Sequence, residues 1–273
     1  RVLLAFAAGG ALAMTGAMFQ AILRNPLATP YTLGTTGGGA LGAVIAISIP
    51  GVSLSFGPFS TIQLLSLIGS FLALGLIYQV ARRSRGMSMN IMLLAGITLG
   101  ILCGAMILLV RYISSPHMLV AMDRWLMGGL DMVGYAQLGS IAWLLIPGIG
   151  LMLAQSRSLN HLSLGELTAG GHGVDVEQTR KHCFIGGSVA TAAVVSVAGP
   201  ISFVGLIIPH IVRIINGLDH RLVLPCSFFA GGILLVVCDT IARTIIAPTE
   251  IPVGIITAII GGPVFILLLL RQK

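Results

Sequence analysis

Residues 157–182 read RSLNHLSLGELTAGGHGVDVEQTRKH, the one long polar passage in a chain otherwise dominated by Leu, Ile, Val, Ala and Gly. Three of the eight acidic residues and three of the fifteen Lys and Arg residues fall within it. A passage this polar, set among apolar runs, is either an ordinary solvated connection or a docking surface. Its surroundings decide the fold. The 273-residue chain is 56% hydrophobic and only 8% charged, with a mean hydropathy of +1.03. A soluble domain carries about a quarter of its residues as charges, so the composition defines an integral membrane protein, and its long apolar runs make it all-α.

Working outward on the N-terminal side, apolar runs cover Gln137 to Ala154, Ile91 to Val110, Ile62 to Ala81, Leu33 to Pro50 and Val2 to Phe19. About 20 residues cross the hydrocarbon core as a helix. Gly34, Gly38 and Gly42, and again Gly96, Gly100 and Gly104, recur at intervals of four, a spacing that lets helices approach closely where apolar burial gives no preference for packing. Between the fourth and fifth runs, Ser114 to Gly134 holds Pro116, Asp123, Arg124 and Asp131. It is too polar to cross, and it reads as a short interfacial or pore-flanking helix with Trp125 suited to the membrane boundary.

On the C-terminal side a sixth span is expected over Cys183 to Ala198. The passage GPISFVGLIIPHIVR, residues 199–213, is apolar but short and contains Pro200 and Pro209, which predicts a discontinuous helix or half-span. Longer runs cover Leu222 to Ala247 and Ile251 to Leu270.

Basic residues distribute unevenly over this order. Arg24, Arg82, Arg83, Arg85, Arg157, Arg180, Lys181, Arg213, Arg221, Arg271 and Lys273 fall on the side of the polar loop; Arg1, Arg111, Arg124 and Arg243 fall opposite. Eleven against four predicts a cytoplasmic loop and a cytoplasmic C-terminus. The assignment requires residues 199–213 to cross. The net charge of +7 is spread over run ends rather than gathered on one basic face, so nucleic acid is not an expected partner.

Several chemistries find no support. The four cysteines, Cys103, Cys183, Cys226 and Cys238, form no CxxC pair and read as buried small apolar residues. The six histidines show no metal-ligand spacing, and no phosphate-binding GxxxxGK[ST] motif is present. No catalytic constellation is visible, so the chain is not expected to be an enzyme or to bind a cofactor or metal itself. His210, beside Pro209, is expected to sit at a helix terminus. Within the loop, Ser163-Leu-Gly-Glu166 and Asp175-Val-Glu-Gln178 have the form of helix-capping boxes. They predict two short helices separated by the Gly170-Gly171-His172-Gly173 turn. Asp239 and Arg243 lie four apart on one predicted helix and form an intramembrane pair, either lining a path or docking point or holding helices together.

The blocks RVLLAFAAGGALAMTGAMFQAILRNPLATP, LLAGITLG, LGELTAGGHGVDV, GPISFVGLIIPH, LDHRLVLP, CDTIAR and EIPVGIITAIIGGPVFILLLL occur in an order, over essentially the whole chain, that resembles the permease of bacterial type II ABC importers for iron-siderophores, haem and vitamin B12. The resemblance implies a ten-helix membrane fold. This chain would hold the last nine helices as one permease domain over residues 1–273, with a further helix expected upstream. It implies a homodimer in the bacterial cytoplasmic (inner) membrane, two ATP-binding subunits that supply ATP and Mg chemistry, and a periplasmic or surface-tethered substrate-binding protein.

By the same resemblance Leu164, Gly165, Glu166, Leu167, Thr168, Ala169, Gly170, Gly171, His172, Gly173 and Val174 match the ATPase-coupling segment within the 157–182 loop. Arg1 and Arg243 match basic positions that dock the binding protein. Met89 and Asn90 match the cytoplasmic gate, where they depart from the small hydroxyl residues of the vitamin B12 permease. Gly170-Gly171-His172 replaces a more helix-favouring run and is expected to loosen the coupling helices. The substrate implied is a ferric-siderophore-type chelate moved inward by alternating access. Haem and cobalamin are the alternatives within the class, and an ion-coupled secondary transporter is the alternative outside it.

Overall fold

A computed structural model describes residues 1–49, 59–83, 89–130 and 136–271. The helices, in chain order, are α1 (Val2–Leu23), α2 (Thr35–Ser48), α3 (Thr61–Arg83), α4 (Met89–Ile113), α5 (Pro116–Leu126), α6 (Ala136–Ala154), α7 (Ser156–Ser163), α8 (Glu166–Gly171), α9 (Val176–Ala198), α10 (Val204–Asn216), α11 (His220–Thr244) and α12 (Val253–Arg271). Among the described residues, α1, α3, α4 from Asn90, α9 and α11 are long and apolar enough to cross a membrane; α2, α6, α10 and α12 contribute shorter apolar helices. Arg85, Asp131, Pro50 and Lys273 lie outside the described residues, and of Met89 only the backbone, at the start of α4, is described.

The bundle is built around α1. Of its most apolar window 78% is buried, against 11% for that of α4. The sequence of α1 explains this: Ala5, Ala8, Gly9, Ala11, Ala13, Gly16 and Ala17 keep its surface low enough for neighbouring backbones to touch it. At Gly9 a Cβ would stand 2.3 Å from the carbonyl oxygen of Gly231 on α11, and at Gly231 one would stand 2.5 Å from that of Gly9. Close backbone contact of this kind supplies the dispersion and packing that hold helices together in lipid. The α2 glycines behave as the spacing predicted, since Gly38 meets Gly69 and Gly42 meets Leu65 on α3. The α4 set does so only in part. Gly96 abuts Thr32 and Leu33, but Gly100 and Gly104 have open space where a Cβ would stand.

The chain from 199 to 216 crosses the bundle. The amide of Gly129 donates to the carbonyl of Ala198 and that of Gly254 to the carbonyl of Gly128, which gathers the end of α9, the end of α5 and the start of α12 at one face. From there residues 199–203 enter without helix, and α10 continues to Asn216 at the other face. Pro209 does not end the helix as the sequence suggested, and His210 lies in the middle of α10 rather than at a terminus.

A proline leaves the carbonyl four residues before it without its helical donor. Here that carbonyl, Gly205 O, accepts from the Gln20 side-chain amide at 3.3 Å, and the neighbouring Leu206 O lies 3.4 Å from the same nitrogen. Arg213 in turn donates to Gln20 Oε1 and to the Ala17 carbonyl. Thus α1 repairs the break in α10.

Candidate functional sites at the two ends of the bundle

The polar passage folds as α7, α8 and the first turns of α9. Of the two short helices expected, the first is present as α8 with a different cap, the second is the start of the long α9, and α7 is a short helix the capping pattern did not predict. Ser163 does not cap α8: it closes α7, and its hydroxyl donates to the Asn160 carbonyl. The N-cap of α8 is Gly165, at φ +124, a backbone conformation open to glycine and strained for other residues. Gly170 and Gly171 are helical rather than a turn, and the chain reverses at Gly173, φ +78. The second cap forms as read, with Asp175 Oδ1 accepting from the Gln178 amide at 2.9 Å, but it opens the long helix α9 rather than a second short one.

Three connections fasten this segment to the bundle. Glu166, freed from a capping role, pairs with Arg180 on α9. Arg24, which follows α1 in a left-handed conformation at φ 47, reaches the Leu162 carbonyl at 2.7 Å. Asn160 contacts Asp219 and His220 at the start of α11. The His161 and His172 rings stack at 5.3 Å, joining α7 to α8. Leu167 projects from α8 with 94% of its surface exposed, and Leu164 is also exposed. An α8 held firmly from behind, with a bare apolar side chain in front, is shaped as a contact surface. Gln20 and Asn160 were not singled out in the sequence, and Arg24 only as one of the basic residues on the loop side; an Asp opening the run at Asp219-His220 is the one local signal of a cap there.

At the other end lies a charge cluster. Asp239, almost wholly buried, is 3.1 Å from Arg1 Nε and 3.3 Å from Arg243 Nε. The second contact is coulombic only, because the Arg243 Nε–H has no aligned acceptor. The i,i+4 pair therefore exists as the spacing predicted, with Arg1 of the α1 start as an unforeseen third member. Arg1 Nη1 also donates to Glu250 at 2.7 Å. The Arg1 hydrogen bond and charge hold the exposed Glu250 carboxyl below its ordinary range. Arg124 lines the same recess, and Arg111 pairs with Asp123 to tie α4 to α5.

A charged carboxylate so deep is tolerated because it faces two guanidiniums. Engaged in this way, Asp239 does not resemble a free carboxylate for ion coupling. Asn90 is exposed at the first turn of α4. Lys181 lies 6.0 Å from the Tyr78 ring centre, which brings the basic end of α3 to the α7–α8 face. The described basic residues thus segregate by face as the charge count grouped them. Among the described residues no three His, Cys, Asp or Glu side chains converge as a metal site.

The described residues thus form a helical bundle with a broken half-span, a polar loop at one face and, at the other, a buried carboxylate between two part-exposed guanidiniums; its relatives are membrane permeases of ABC importers. Residues 1–271 match the model of the FecCD transport family, and the chain belongs to that family. It is 39% identical to the hemin transport system permease protein HmuU of Yersinia pestis, over all of this chain and 81% of that protein. It is also 39% identical to the cobalamin import system permease protein BtuC of Halobacterium salinarum, over all of this chain and 72% of that one. A solved structure described as an inward-facing conformation of a metal-chelate type ABC transporter superposes with a TM-score of 0.89 at 32% identity, covering the whole chain and 85% of its own. The fold is that of a type II ABC importer permease.

Proposed function

We propose that this chain, as a single permease domain, forms half of a homodimeric, ATP-driven importer that moves a ferric-siderophore-type chelate into the cytoplasm. The observation that carries the reading is the α7–α8 segment, fastened to α1, α9 and α11 while Leu167 stands bare. Such a segment receives a push from a partner and passes it to three helices at once. Two ATP-binding subunits, holding ATP and Mg, would seat on residues 164–174 at the cytoplasmic face. Arg1 and Arg243 would receive a substrate-binding protein at the other face. Met89 and Asn90 would stand at the cytoplasmic gate. No cofactor is assigned to this chain. The loosely covered α4, with open space at Gly100 and Gly104, suits packing against the second copy.

Haem or cobalamin is the second reading of the substrate, favoured by the names of the relatives. The deciding experiment reconstitutes the complex with its ATPase and binding protein and measures hydrolysis with a ferric siderophore, haem and cobalamin in turn. Stimulation by the ferric chelate is expected. Stimulation by haem or cobalamin alone replaces the substrate, and uptake that persists without the ATPase overturns the ATP-driven reading.

A further inference from the structure

We propose that Asn160 is the positioning residue through which the α7–α8 segment moves α11. The inference rests on the coupling role proposed for that segment. Asn160 lies on α7, yet its amide completes the cap of α11. Its Nδ2 donates to Asp219 Oδ1 at 2.6 Å, and its Oδ1 accepts from the His220 main-chain amide at 2.8 Å. The same Oδ1 lies 2.8 Å from His220 Nδ1. These partners fix the amide orientation from both sides: a carboxylate needs a donor and a main-chain N–H needs an acceptor. The amide oxygen also requires the proton of His220 to sit on Nδ1.

Asp219 is itself the N-cap of α11 and accepts from the Arg221 amide at 2.9 Å. The Asn160 hydrogen bond, with that of the Arg221 amide, holds the Asp219 carboxyl below its ordinary range. The first N–H groups of a helix have no partner within it. Here one of them, that of His220, is met by a side chain from α7, so α7 cannot shift without either breaking that bond or carrying the start of α11 with it.

The other fastenings are different in kind. Arg24 reaches a main-chain carbonyl at the end of α7 through a long flexible side chain, and Glu166 meets α9, its near neighbour in sequence. The Asn160 side chain is short and held by three contacts. His220 is buried, so its ring meets Asn160 shielded from solvent. From this clasp α11 continues as one helix, with Pro225 in its second turn, to Asp239 and Arg243, which meet Arg1 at the opposite face. A push at α7 is thereby delivered to the charge cluster at the far end.

The test uses the permease–ATPase complex carrying Thr244→Cys at the exposed end of α11, with Cys226→Ser to silence the partly exposed native thiol. The rate of maleimide labelling at position 244 is compared without nucleotide and with ATP plus vanadate. Folding is followed by size exclusion and thermal unfolding. The unmodified clasp is expected to give a clear nucleotide-dependent change. Asn160→Asp sets two carboxylates against each other in place of a donor and an acceptor, and should reduce that change by about tenfold, the order of a charge-assisted hydrogen bond lost.

The exchange Asn160→Asp with Asp219→Asn restores a donor and an acceptor across the contact, with the donor now on residue 219 and residue 160 still accepting from the His220 amide; it gives up the Arg221 amide bond, because that amide shares Asp219 Oδ1 with Asn160. It should restore the response, a rescue that a general packing role would not give. A response retained in Asn160→Asp and in Asn160→Leu overturns the clasp. So does failure of the exchange to restore it, whether the single variants fold or not. Absence of any nucleotide response with Asn160 intact instead overturns the coupling reading beneath it.

Discussion

At Gln20 one side chain does what the sequence of α10 cannot do for itself. Pro209 strips a donor from the helix interior, and the Gln20 amide supplies one from α1, with Arg213 holding its oxygen. Gln20→Leu should lower stability by about 1–3 kcal/mol, the cost of an unsatisfied buried carbonyl, read as a lower midpoint of thermal unfolding in detergent. Glu250 makes a separate test. Its carboxyl is held low by Arg1, so the pair is complete above the ordinary glutamate value and is lost as pH falls through the lowered folded one. A carboxyl-labelled titration should place Glu250 below the ordinary range, and Arg1→Gln should return it there.

Elements differ in how tightly their small residues are used. At Gly16 of α1 an added Cβ would stand 1.8 Å from the Gly205 carbonyl oxygen of α10. Gly16→Ala should therefore force the helices apart at a cost of about 1–3 kcal/mol. Gly104 of α4 has nothing within 4 Å, so Gly104→Ala should leave the isolated chain at least as stable, by up to about 1 kcal/mol from helix propensity. If the same change splits the purified assembly into monomers, a second copy packs there; unfolding midpoint and light scattering separate the two effects. The sequence could not make this distinction. Gly96, Gly100 and Gly104 repeat with the same period as Gly34, Gly38 and Gly42, but periodicity only says which residues share a face, not whether another helix covers it.

For the molecule as a whole, the charge count and the architecture agree on which basic residues share an end, and this gives an orientation test. Leu167→Cys on α8 and Tyr112→Cys near the end of α4 are both highly exposed and lie at opposite faces. In intact cells Tyr112→Cys should react with a membrane-impermeant thiol reagent, and Leu167→Cys should react only after the membrane is opened. The reverse pattern would invert the proposed topology. The grouping survives in the structure because residues 199–216 cross, as the count required. They do so with 13 helical residues and a non-helical entry, an arrangement that lipid forbids to an exposed chain and that burial against α1, α11 and α12 permits.

Composition and apolar run length determined that the chain is a helical membrane protein. The ordered blocks pointed to the permease family, and Asp175 announced its cap by local spacing alone. Such features are legible because they depend on neighbours a few residues away. Tertiary structure alone decided that Ser163 gives up its cap, that Glu166 turns to Arg180, that Arg1 joins Asp239 and Arg243, and that Asn160 caps a helix 60 positions on. A hydrogen-bonding side chain in a bundle satisfies whichever unpaired group the fold brings within reach, and sequence distance carries no information about that reach.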